Sequence, residues 1–137
     1  MSGLAGLVAG RFPAGVYRWH ASFHAPDVQH TVEHAGWEFG YVDGWGTESA
    51  EEFHARIAAG LGFPDHYGAN LDALWDCLTD LGEPTVLLWD GWGPLARADE
   101  PTFTKIVDVL GKRAATGPPF ATLLRGDGPE VDVPSLD

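Results

Sequence analysis

With 137 residues, 45% of them hydrophobic, the chain has material for one core and too little for two comfortable domains. Eight Lys and Arg against twenty Asp and Glu give a formal charge of -12, a field that repels nucleic acid phosphates and anionic lipid while attracting basic proteins. Direct DNA or RNA binding is thereby disfavoured, and a protein partner is the class that remains. The single cysteine, Cys77, can form no internal disulfide, which fits a reducing compartment. The opening MSGLAGLVAGRF lacks the basic and apolar regions of a secretory signal, and no stretch reaches the length needed to cross a bilayer. A soluble cytoplasmic protein without a membrane contact is expected.

In chain order, residues 1–12 are small and glycine-rich and read as a flexible tail. A folded domain is expected over residues 13–125, divided into an extension (13–36) and a core (37–125). Gly15 to Phe23 alternates enough for a strand, His30 to Ala35 suits a short helix, and Trp37 to Val42 is a second strand closed by the turn pair Asp43-Gly44. Ser49 with Glu52 forms a capping box, after which Phe53, Ile57 and Leu61 recur at helical spacing until Gly60 and Gly62 stop the helix.

The stretch FPDHYGANLDALWDCLTD, Phe63 to Asp80, then joins a glycine-containing loop to a helix capped by Asn70. Leu71, Leu74 and Leu78 make its buried stripe, while Asp72, Asp76 and Asp80 stand four apart on another face. Like charges at that spacing destabilise an isolated helix by roughly 0.2–0.5 kcal/mol per pair, so the row is either a solvated face or a site for an opposite charge. Thr85 to Trp89 (TVLLW) is continuous and apolar, as a strand covered on both faces would be. Pro101 opens a last helix with Phe103, Ile106, Val107 and Leu110 on one stripe, and Phe120 to Leu124 is a closing strand. Residues 126–137, acidic and broken by proline, read as a second flexible tail. Strands joined by helices from Trp37 onward predict an α/β fold with a small parallel sheet of three strands, to whose edge the N-terminal strand could add.

The residues FPDHYGANLDALWDCLTDL resemble the signature of the barstar family, intracellular protein inhibitors of guanyl-specific ribonucleases. An aromatic followed by glycine, an Asn cap, Leu-Asp-x-Leu-Trp-Asp and a following Leu-Thr agree in order and spacing, and a weaker likeness runs from Trp37 to Leu124. The resemblance implies a non-enzymatic, cofactor-free and metal-free inhibitor, monomeric when free. It would bind a small basic guanyl-specific ribonuclease one-to-one and plug its active site. Asp76 matches the family's central carboxylate, which takes the place of substrate phosphate. Asp72 matches a second interface carboxylate, and Asn70, Gly68 and Trp75 match positions lying against the enzyme, with Tyr67 and Asp80 flanking them. His66 stands where a stacking tyrosine is usual. Near the end of the last helix, Lys112 falls where a glutamate is expected, with Asp108 the nearest acid.

Two other readings compete. His30-Thr31-Val32-Glu33-His34 spells H-x-x-E-H, an inverted zinc-protease pattern that needs a longer helix and a third ligand. Alternatively, the domain keeps the barstar fold but serves another nuclease as an immunity module or binds a different protein. Trp37 and Trp89 read as core residues, Trp45 and Trp92 as partly exposed loop aromatics.

Overall fold

The computed structural model describes residues 2–137. In chain order it contains α1 (Ser2–Val8), β1 (Val16–Trp19), α2 (Ala25–His34), β2 (Glu38–Asp43) and α3 (Ala50–Leu61). There follow α4 (Leu71–Thr79), β3 (Thr85–Asp90), α5 (Gly93–Ala98), α6 (Glu100–Ala114) and β4 (Phe120–Arg125). The strands form one parallel sheet in the order β1-β4-β3-β2. The α/β class is as expected, but the sheet has four strands and not three. β1 pairs with β4 from Val16 opposite Thr122 to Trp19 opposite Arg125. The two strands lie a hundred residues apart in the chain, so no local signal announces their pairing.

Helices cover both sheet faces. On one, Leu87, Trp89, Phe120 and Leu124 meet Phe53 and Ile57 of α3, Leu74 and Leu78 of α4, and Phe103, Ile106 and Leu110 of α6. On the other, Tyr17, Trp19, Val86, Leu88 and Leu123 meet Leu4 and Leu7 of α1 and Val28 and Val32 of α2. All six residues of β3 are therefore buried, the pattern a central parallel strand requires. At the β2 edge the sheet and α3 approach unusually closely. A Cβ on Gly60 would overlap the Tyr41 carbonyl oxygen, so that position requires glycine, and one on Gly40 would displace the Leu61 side chain.

Four expectations, for the two ends, Trp92 and the helix at His30, are corrected. The expected tail 1–12, of which Met1 lies outside the described residues, is not loose over residues 2–12: Leu4 and Leu7, one turn apart on α1, are 0% and 1% exposed. Its glycines obscure the helix because each disfavours one by about 1 kcal/mol, and seven residues form no stable helix without tertiary packing. Residues 126–137 are also docked. Pro134 accepts the Arg18 N–H and Leu136 donates to the Arg18 carbonyl, so this segment covers the outer edge of β1. Trp92 is 0% exposed, with its indole N–H on the Gly126 carbonyl, and it introduces α5, a helix whose glycine and proline read as loop. The helix expected at His30 begins earlier, at Ala25, with Pro26 in its first turn. Among the described residues, no helix is long and apolar enough to cross a membrane.

Replacing Leu4 with Ala should lower the unfolding free energy by about 3 kcal/mol, the usual loss for a large buried aliphatic side chain. Urea titration checks this. A change below about 0.5 kcal/mol, the size of an ordinary surface substitution, would show that α1 does not belong to the core.

Candidate functional site

The helix α4 is fixed at both ends. At its start Asn70 adopts extended backbone and its Oδ1 accepts the Ala73 N–H at 2.8 Å. The preceding residue, Ala69, has φ 51, a left-handed conformation that costs a non-glycine residue about 1–2 kcal/mol. At its end the guanidinium of Arg113, 1% exposed, reaches across from α6. Its Nε donates to Leu78 O at 2.7 Å and its Nη2 to Leu81 O at 3.2 Å, while Nη1 donates to Thr116 O and Pro118 O at 2.6 and 2.8 Å. The same group lies over the Phe120 ring, 5.5 Å from its centroid. A cation at a helix C-terminus opposes the negative end of the macrodipole while satisfying carbonyls left without intrahelical donors.

Between these ends Leu74 and Leu78 enter the core, and Asp72 and Asp76 face solvent. Asp80, also exposed, lies just past the last helical residue as the C-cap, its N–H on the Asp76 carbonyl. From Leu61 to Glu83 there are five carboxylates and no Lys or Arg. Among the described residues the ion pair present joins Arg125 to Asp90, so the row on α4 carries none. Burial pushes the half-exposed Cys77 thiol up, and the nearby Asp80 and Asp76 carboxylates push it further in the same direction. The negative potential of the row thus reaches the helix itself.

The loop before α4 divides by exposure. His66, Gly68 and Asn70 are exposed. Tyr67 turns inward: its hydroxyl meets Nδ1 of His54, a 4% exposed residue of α3, and its ring packs against Phe63 with centroids 5.0 Å apart. Burial raises the Tyr67 hydroxyl above the ordinary phenol range, with Cys77 adding to it, and burial lowers His54. Burial thus favours the neutral form of both groups, which share one hydrogen bond between the phenol oxygen and Nδ1. Of the eight expected contact residues, six (His66, Gly68, Asn70, Asp72, Asp76 and Asp80) share the exposed loop and helix surface. Trp75 is half-buried, and Tyr67 anchors the loop from beneath.

Arg113 is the residue that sequence reasoning missed. It stands three positions after Leu110, on the stripe begun by Phe103, Ile106 and Leu110, and a cation on an apolar stripe was the available signal. Asp108 and Lys112 are both exposed on α6. The second constellation comes together only in part. His30 and His34 stack on α2 with ring centroids 6.1 Å apart, but Glu33 accepts from Gln29. Among the described residues no three His, Cys, Asp or Glu side chains are grouped to hold a metal ion.

The sequence profile described as Barstar (barnase inhibitor) matches residues 37–125, the stretch from the start of β2 to the end of β4. A Bacillus subtilis (strain 168) protein named "Putative ribonuclease inhibitor YrdF" is 55% identical over 38 residues, which are 28% of this chain and 42% of that protein. The ORC2 protein of Aeropyrum pernix, solved as ADPNP-ADP complexes, superimposes with a TM-score of 0.64 at 17% identity, over 93% of this chain and 40% of that one. That last likeness is one of fold alone, and the chain spans less than half the length of either protein. With the profile covering more than half of its length and the acidic helix at its centre, the chain belongs to the barstar family.

Proposed function

We propose that this protein is a non-enzymatic inhibitor that binds a small basic guanyl-specific ribonuclease one-to-one and occludes its active site. The carrying observation is the row Asp72 and Asp76, exposed, without an ion pair and held on a helix tied at both ends. An enzyme that cleaves RNA gathers arginine, lysine and histidine to hold phosphate, and a fixed carboxylate can occupy the same place through charge-assisted hydrogen bonds. In this reading Asp76 is the phosphate mimic. Asp72, Asp80, Gly68, Asn70, Trp75 and His66 form its surround, and Tyr67 sets the height of the loop. Binding alone blocks the enzyme, so no catalytic group, cofactor or metal is required, and a cytoplasmic monomer meets the need.

Calorimetric titration into a small secreted guanyl-specific ribonuclease, with RNA cleavage followed in the same samples, tests the reading. Asp76→Ala should weaken binding by about 3 kcal/mol or more, because the enzyme's cations would be buried without their partner. Its thermal midpoint should stay near that of the unsubstituted protein, since an exposed carboxylate in a repelling row contributes little to folding. Equal loss from Asp132→Ala, outside the site, would contradict a localised contact. Failure to bind any such ribonuclease would favour an immunity module for a different nuclease.

Association should also slow steeply with added salt, because attraction between opposite fields is screened within about 8 Å at physiological ionic strength. Stopped-flow rates that stay flat between low and high salt would refute an electrostatic approach.

The His54 anchor gives stability a pH dependence whose sign is fixed. His54 titrates below its ordinary value of 6.5 in the folded protein, so below that pH the unfolded chain binds a proton that the folded chain resists. Its contribution is therefore complete above 6.5 and declines as the pH falls from there through the lowered folded value. Denaturant titrations from pH 7.5 to about 5 should show this decline, and His54→Gln should remove part of it. An unchanged pH profile in that variant would mean His54 does not carry the effect.

A further inference from the structure

Away from α4, an aromatic side chain is held in the open at the carboxyl ends of the strands. Trp45 is 55% exposed, yet its position is tightly determined. Its backbone N–H is on Asp43 Oδ1 at 3.2 Å, and the turn containing it is closed by the Thr47 N–H on the Gly44 carbonyl at 3.0 Å. The inner face of its ring lies over Gly91 and Gly126, the residues that follow β3 and β4, with φ +74 and +109. A Cβ on either would stand 2.6 Å from the indole, so the seat exists only because both residues lack a side chain. More than half of the residue's surface nevertheless remains open to solvent.

The surroundings narrow what could lie on that surface. Phe23, 39% exposed, lines the same depression of about 440 Å³ together with His24, Tyr41, Asp90 and Arg125. The polar floor is already satisfied: Arg125 donates to both Asp90 oxygens and to the carbonyls of Ala21 and Phe23, and Tyr41 donates to Asp90. Asp43 differs, being exposed and without an ion pair among the described residues, with its carboxylate against the Trp45 backbone. A fixed indole face with an open carboxylate at its side suits a flat cation, which can stack on the ring while the carboxylate takes its N–H groups. The charge of -12 draws basic protein surfaces toward it and repels the phosphates of nucleic acids, whose bases could otherwise stack there.

We propose that Trp45 and Asp43 form a second docking surface, separate from α4, that receives an arginine side chain of a basic protein. The surface stands independently of the ribonuclease reading. The probe is an eight-residue alternating Arg-Gly peptide, titrated at physiological salt into the full chain while Trp45 indole and Asp43–Gly46 amide resonances are followed. Those signals should shift saturably. Affinity should fall about fivefold in Trp45→Leu, which keeps apolar cover over the glycines but removes the ring. Asp43→Asn should also weaken it, and Asp76→Ala should leave it unchanged. Shifts spread over the α4 carboxylates, loss of binding in Asp76→Ala, or equal affinity in Trp45→Leu would each overturn the proposal, the last by making Trp45 only a cover for the strand ends. Thermal midpoints of the variants establish that each is folded at the titration temperature.

Discussion

The position of the acidic helix depends on a cation buried behind it. Taking a guanidinium out of water carries a penalty of several kcal/mol, and among the described residues no carboxylate pairs with Arg113 to offset it. Four backbone carbonyls do so instead, drawn from the end of α4, the turn after it, and the approach to β4. The arrangement links three segments that the chain order keeps apart. Each carbonyl would otherwise be a buried acceptor at a helix end or a tight connection, where an unpaired group is costly. Because the donors of one planar group are fixed relative to one another, the end of α4 cannot shift without breaking several bonds together. The mutual repulsion of Asp72 and Asp76, a few tenths of a kcal/mol, is small beside this tether. The helix can therefore carry a charge pattern that its own stability would not select.

A second constraint comes from the sheet. The family-matched stretch, residues 37–125, supplies three strands and the helices of one face. The other face of those strands presents Val86, Leu88, Ala121 and Leu123, all buried, and the cover comes from outside the stretch, from α1 and α2. β1 closes the free edge of β4, and Arg125 joins the two parts by holding Asp90 with one side of its fork and the carbonyls of Ala21 and Phe23 with another nitrogen. The N-terminal residues are thus a helical layer and a strand of the same body.

What could be read from the sequence was local. The caps at Ser49 and Asn70, the stripe of α4, the apolar run of β3 and the Pro101 start of α6 each place their signal within a few residues, and each appears in the structure. The features that escaped depend on distant partners. Leu4 and Leu7 mark a helix only when the sheet face that buries them is present, and Pro134 joins a strand edge only because β1 lies beside it. Trp92 reads as a partly exposed loop residue because its neighbours are glycine and proline, yet at Gly93 the Asp127 carbonyl approaches where a Cβ would stand, closing the backbone over it. A Cβ on Gly128 would strike its ring. In the site, the exposed acids were legible by helical period, whereas the inward turn of Tyr67 was not. Its direction follows from His54, thirteen positions earlier on another helix.

Charge alone cannot explain selectivity in this molecule. An excess of twelve acids gives the whole surface a negative field, which draws any basic protein and favours none. What distinguishes the α4 surface is that its parts are held: Asn70 by its own cap, the loop by Tyr67 on His54, the left-handed turn at Ala69, and the helix end by Arg113. Ordering a loop and long side chains on binding consumes part of the interaction free energy, so a surface ordered beforehand retains more of it for the contact. Aspartate suits such a surface, since its short side chain follows the backbone closely, and fixing the helix fixes the carboxylate. Under the proposed function, the field would bring a cationic partner near, and the tethers would decide whether its cations meet Asp72 and Asp76 at hydrogen-bonding distance.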